Sequence, residues 1–274
     1  MRRYAVFPIL ALGGGCAAFV LRLLQWRAGF EPDTGLPIPG TPFGAATAAL
    51  AVLTMAACFL LRKKLPAEKE GTPLFPAGFA TGEAGLLTLV VAGVFLMAAA
   101  GLADVAAGMG VQALPGMAQS SAVSQREQLI LGALTLAAAV CLFPAVPACR
   151  RRPDQEPQPF NGLLLLAPVV CLVVRLVLVY RQDSANPVLA AYWVELLALV
   201  LAILALYRLA AFAYGVGRTR RFVLYAVPAV VLCLASLADG GSLSSILFNG
   251  GAALTLTGFL LQRLANLPAG ENGQ

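Results

Sequence analysis

Residues 84–106 read AGLLTLVVAGVFLMAAAGLADVA, a run whose single charge, Asp104, stands near its far end. A helix rises about 1.5 Å per residue, so this stretch reaches roughly 35 Å. About 20 mostly apolar residues are enough to cross a bilayer. Seven further runs of the same kind lie to either side: Tyr4–Trp26, Phe43–Leu61, Gln128–Val146, Leu163–Tyr180, Val188–Ala213, Phe222–Ala238 and Ser244–Leu261. The expected fold is an all-α polytopic membrane bundle of eight transmembrane helices. Its connections are polar and carry Gly, Pro and Asn, as in Glu31–Pro42 and Arg150–Gly162. Ser124 with Glu127 has the spacing of a capping box opening the fourth helix.

Composition agrees. Of 274 residues, 59% are hydrophobic and 12% charged, and mean hydropathy is +0.83. Soluble domains run about 45–50% apolar and about 25% charged. So little charge cannot cover a water-soluble globule, which argues against a soluble enzyme, a disordered chain and a nucleic-acid-binding domain. The net charge of +6 does not change this, because the basic residues sit in short segments between apolar runs. The chain has no His, so a Ser-His-Asp triad, a His-based zinc site and His ligation of haem are excluded, and no cofactor is expected. Five of the six cysteines, all but Cys149, lie inside apolar runs, and no two form C-x-x-C. They read as small membrane-core residues. The runs Gly13–Gly15 and Gly240–Gly241 are not phosphate loops, since no G-x-x-x-x-G-K-S/T is present.

The beginning imitates a signal peptide, with Arg2 and Arg3 before an apolar run and Gly13–Cys16 faintly like a lipoprotein site. The residues after Cys16 stay apolar through Leu24, whereas a secreted product turns polar. An uncleaved first span is expected. Lys and Arg then set orientation. With the N-terminus inside, cytoplasmic segments hold 13 of them and outer loops 3, namely Arg27, Arg126 and Arg181. Both termini are expected in the cytoplasm. The Ala/Leu/Gly-rich composition and short loops suit a bacterial plasma membrane. Arg150–Arg152 and Arg218–Arg221 either set this topology or bind anionic lipid head groups.

The two halves, 1–149 and 150–274, share an order of features. Span one contains Val20-Leu21-Arg22-Leu23 and span five Val173-Val174-Arg175-Leu176. A Pro-bearing outer loop follows each, through Thr41-Pro42 and Asn186-Pro187. Spans three and seven end in Leu-Ala-Asp, at Asp104 and Asp239. Four spans per half points to a parallel 4+4 internal duplication, as in some transporters. Chance recurrence among abundant Leu and Ala is the competing reading.

A charge at a helix centre costs about 2.5–3.5 kcal/mol on insertion scales. Arg22, Arg175 and Glu195 carry that cost, with Asp104 and Asp239 at helix ends. Measured at the helical rise, Arg175 and Glu195 lie roughly 8 Å and 10 Å from the outer end of their spans. Arg208 stands apart, near the inner edge. Two readings follow. In one, Arg22, Arg175, Glu195, Asp104 and Asp239, walled by Tyr192 and Trp193, form a polar site open to the outside. In the other they are structural ion pairs, Arg175 with Glu195 and Arg22 with Asp104. The first makes the protein a small-molecule carrier, or the membrane subunit of one, taking a small polar or anionic solute. The second makes it a non-transporting scaffold or sensor. Membrane lipids are expected partners in both. No ATPase motif is present, so ATP coupling would need a partner subunit, and no catalytic motif suggests an enzyme. The series Gly44, Ala48, Val52, Ala56 and the set Gly251, Thr255, Gly258 read as helix-packing stripes.

Overall fold

The computed structural model describes residues 4–31, 36–66, 74–111, 124–150, 160–183 and 188–267. Among them the fold is all-helical. Its helices are α1 (Val6–Ala28), α2 (Pro42–Leu61), the short α3 (Phe75–Gly78), α4 (Ala84–Gly108), α5 (Gln125–Leu142), the short α6 (Ala145–Ala148), α7 (Leu163–Asp183), α8 (Leu189–Ala213), α9 (Thr219–Ser236) and α10 (Leu243–Ala265). Eight of these, some with the short turn that follows, are long and apolar enough to cross a membrane, as in a multi-pass membrane protein. Arg2, Arg3, Asp33, Lys69, Arg151, Arg152, Asn186 and Pro187 fall outside the described residues.

Helix starts follow local chemistry. Pro42 occupies the first turn of α2, where its missing N–H costs nothing. Ser124 caps α5, accepting from the Glu127 backbone N–H at 3.3 Å. Ser242 does the same for α10 through Ser245 N–H at 3.2 Å. The cap starts α5 at Gln125, three residues before the expected boundary, because a capped polar turn extends an apolar run.

The core is centred on α9, which packs against α1, α2, α8 and α10. Beyond it α10 lies along α4, α4 along α5, α5 along α7 and α7 along α8. Lipid tails are as apolar as Leu, so close backbone approach rather than burial from water holds such seams. Glycines make that approach possible. A Cβ on Gly93 would meet Thr255 N at 2.6 Å and Gly251 O at 2.7 Å, across the α4–α10 seam. One on Gly101 would meet Leu136 N at 2.8 Å and Gly132 O at 2.9 Å, across α4–α5. Gly15 gives α1 the same approach to Leu234 of α9. The stripe Gly251, Thr255, Gly258 is therefore a packing face. The α2 stripe is a correction: Val52 is 68% exposed, and α2 buries Thr47, Thr54 and Cys58 instead. An apolar helix offers several small-residue series, and its neighbours choose among them.

Candidate functional site

Two polar clusters lie near one end of the bundle, and each is built around an arginine. In the first, Gly15 brings α1 against α9, and Arg22, two turns further along α1, meets Asp239 in the turn that ends α9. Arg22 is fully buried. Its Nε donates to Asp239 Oδ1, one NH2 group donates to Gln25 Oε1 at 2.9 Å, and the other to the Ala191 carbonyl at 2.6 Å. Trp26 Nε1 donates to the same Asp239 oxygen at 3.0 Å, and its ring centroid lies 5.4 Å from the guanidinium carbon. Asp239 Oδ2 is buried and has no hydrogen-bond partner among the described residues.

In the second cluster Arg175 of α7, also buried, donates to Asp104 Oδ2 at 3.0 Å and to Thr135 Oγ1 at 2.7 Å. The Phe248 ring covers the guanidinium at 4.5 Å. Asp104 and Thr135 come from α4 and α5, the helices that the Gly101–Gly132 contact draws together.

Both expected pairings are therefore wrong in partner. Arg22 pairs with Asp239 and not Asp104, because α1 lies along α9 while α4 lies along α10. Arg175 pairs with Asp104 and not Glu195, although α7 and α8 are neighbours at matching depth. Depth follows from counting residues. The direction around the helix does not, when the surrounding residues are apolar on every side.

Glu195 faces elsewhere. Its Oε1 accepts from Ser245 Oγ of α10, and Asn249 Nδ2 lies 3.4 Å from the same hydroxyl. Among the described residues no Lys or Arg lies within 4.0 Å of Glu195, whereas Asp104, Glu127 and Asp239 each meet an arginine. Tyr192 and Trp193 are half-buried on α8, with Trp193 packed against the apolar core. The aromatic ring at Arg22 is that of Trp26. Gln25, Trp26, Thr135, Ser245, Phe248 and Asn249 escape a search for in-span charges because each is neutral. The Ser/Thr/Asn content at these depths was the available signal.

The opposite end is closed differently. Phe75 and Phe79, from α3 and the turn after it, contact one another and Phe259, with Phe160 against Phe75 and both Phe212 and Phe222 against Phe79. Arg263 anchors this cluster, donating to Thr219 Oγ1 at 2.7 Å and the Gly78 carbonyl at 3.2 Å. Arg220 donates twice to the Leu65 carbonyl, at 3.0 and 2.6 Å. Burial also pushes the thiol of Cys149, just beyond α6, above its ordinary pKa.

Comparison with known protein families, curated proteins and solved structures finds no match. Functional inference therefore rests on these side chains.

Proposed function

We propose that the chain is a small-molecule carrier, or the membrane subunit of one, working through Glu195. The observation that carries this reading is a carboxylate within a span that accepts from a serine hydroxyl of another helix, itself contacted by an asparagine, and meets no cation among the described residues. A carboxylate inside a span with no cation beside it is costly, so intramembrane acids of this kind mark proton or ion pathways. Both nearby arginines are already neutralised within the protein. The solute thus shifts from the small polar or anionic one expected from the sequence to a small polar molecule with a cationic group, or to one moved with a proton. On this reading the Glu195 end faces outward, both termini lie in the cytoplasm of a plasma membrane, the chain is not an enzyme, and any ATP coupling comes from a partner subunit.

The buried, internally paired arginines favour a second reading, a scaffold or sensor held together by its ion pairs. One experiment separates the two. Purified protein is melted against a panel of small cationic, zwitterionic and anionic metabolites, because a ligand raises stability by mass action. Hits are then tested for uptake by wild type and Glu195→Gln in proteoliposomes. The carrier reading expects a hit whose uptake per folded molecule is abolished, or changes pH dependence, in Glu195→Gln. No hit, with Glu195→Gln changing only the melting temperature, would support the scaffold.

A further inference from the structure

We propose that the face shared by α8 and α9, at the arginine-rich end of the bundle, binds the phosphate of an anionic lipid through Arg208. This site lies at the end opposite Glu195 and does not depend on the carrier reading. Arg208 stands five residues before Ala213, the last residue of α8, or roughly 7.5 Å from the helix end. Arg208 is half-buried, whereas the fully buried arginines all donate to oxygen: Arg22 to Asp239, Arg175 to Asp104, and Arg263 to Thr219 and Gly78. The contacts of Arg208 are two aromatic rings, Tyr207 at 5.4 Å and Tyr225 at 5.8 Å. Its Nε is shielded from solvent and has no acceptor among the described residues. A cation–π contact stabilises a guanidinium by about 0.5–2 kcal/mol but supplies no counter-charge.

The surroundings specify the anion. Arg221 lies one helical turn from Tyr225 on the same face of α9, and Arg218 nearly one turn further. Both are exposed. Helical spacing thus puts two further arginines on the side of α9 that carries Tyr225, and none of the three is within 4.0 Å of a carboxylate among the described residues. Guanidinium matches phosphate with paired N–H donors, and the two tyrosines add hydroxyls. The ligand is a lipid rather than a free ion because tyrosines on the bundle surface mark this level: Tyr207 on α8 and Tyr214, which caps it, are 47% and 51% exposed. Rings of this type settle at head-group level. The charge pattern places this end at the cytoplasmic leaflet, whose anionic lipids attract basic clusters.

The test is native mass spectrometry of the full chain released from micelles holding equal amounts of phosphatidylglycerol and phosphatidylcholine. Wild type is expected to retain phosphatidylglycerol preferentially, and Arg208→Gln to lose about fivefold or more of that preference, the effect of one arginine near the surface. Arg221→Gln, at an exposed position, should fold normally and lose a smaller part, which keeps the test decisive if Arg208→Gln does not fold. Equal retention of both lipids by wild type, or an unchanged preference in the variants that fold, would overturn the proposal. Millimolar inorganic phosphate stabilising wild type as much as phosphatidylglycerol would also overturn it, by assigning Arg208 to a soluble anion.

Discussion

The Arg175–Asp104 pair offers the sharpest test of the packing. Arg175 is 4% exposed, and its charge is met by one carboxylate at 3.0 Å, one hydroxyl at 2.7 Å and one ring. Asp104→Asn keeps the volume and an acceptor but removes the only counter-charge that Arg175 meets among the described residues, leaving a buried guanidinium uncompensated at about 3–5 kcal/mol. Arg175→Gln should also destabilise, because it leaves the buried Asp104 without the cation it meets. The double variant places two neutral amides side by side, able to hydrogen-bond one another, and should recover most of the loss. The coupling energy is then about 3 kcal/mol. At about 2–4 °C per kcal/mol for a chain of this size, Asp104→Asn should melt roughly 6–20 °C below wild type. Equilibrium unfolding in mixed micelles measures the cycle, and the cycle of Glu195→Gln with Arg175→Gln is its control. Additive losses for Asp104 and Arg175 would refute direct pairing, as would coupling that appears only in the control.

The remaining predictions concern packing and chemistry. Gly93→Ala should cost about 1–3 kcal/mol in the same assay, because its methyl would press on the backbone of α10. Gly13→Ala, with open space around its Cβ, should be neutral or stabilising by up to about 1 kcal/mol through helix propensity. A protein whose only cysteine is Cys149 should resist N-ethylmaleimide at pH 8 until denaturant is added, since the thiol is fully buried and its pKa raised. The folded state holds this proton more tightly than the unfolded one. The thiol therefore has no effect on stability at neutral pH, and it lowers stability as pH rises above about 9, the ordinary thiol value. Pulse alkylation and melts across that range would show it, and rapid labelling of the folded protein would contradict the burial.

The eight helices were legible because a span is a matter of length and apolarity, both local to the chain. The depth of each charge was legible for the same reason, since Arg22, Arg175, Glu195, Asp104 and Asp239 do fall toward one end. Their partners were not. Pairing depends on which helices touch and on direction around each axis, and α4, α8 and α10 are apolar on most sides. The glycines held part of the missing information: Gly15 of α1 belongs to the seam that brings Arg22 to Asp239, and Gly101 of α4 to the seam that sets Asp104 beside Thr135, the two acceptors of Arg175. Each arginine pairs with the aspartate of the other half, so the recurring Arg and Leu-Ala-Asp marked the right four residues while leaving open which would meet which. Charge counting goes one step further. Two arginines and three acids at similar depth must leave one acid over. An aspartate that ends a helix, such as Asp239, stands beside a neighbouring span and meets its arginine there. Glu195, on the next helix after Arg175, is held by Ser245 of α10 and turned away from it. The residue left unneutralised is thus chosen by a neutral hydroxyl, and its identity carries the functional proposal.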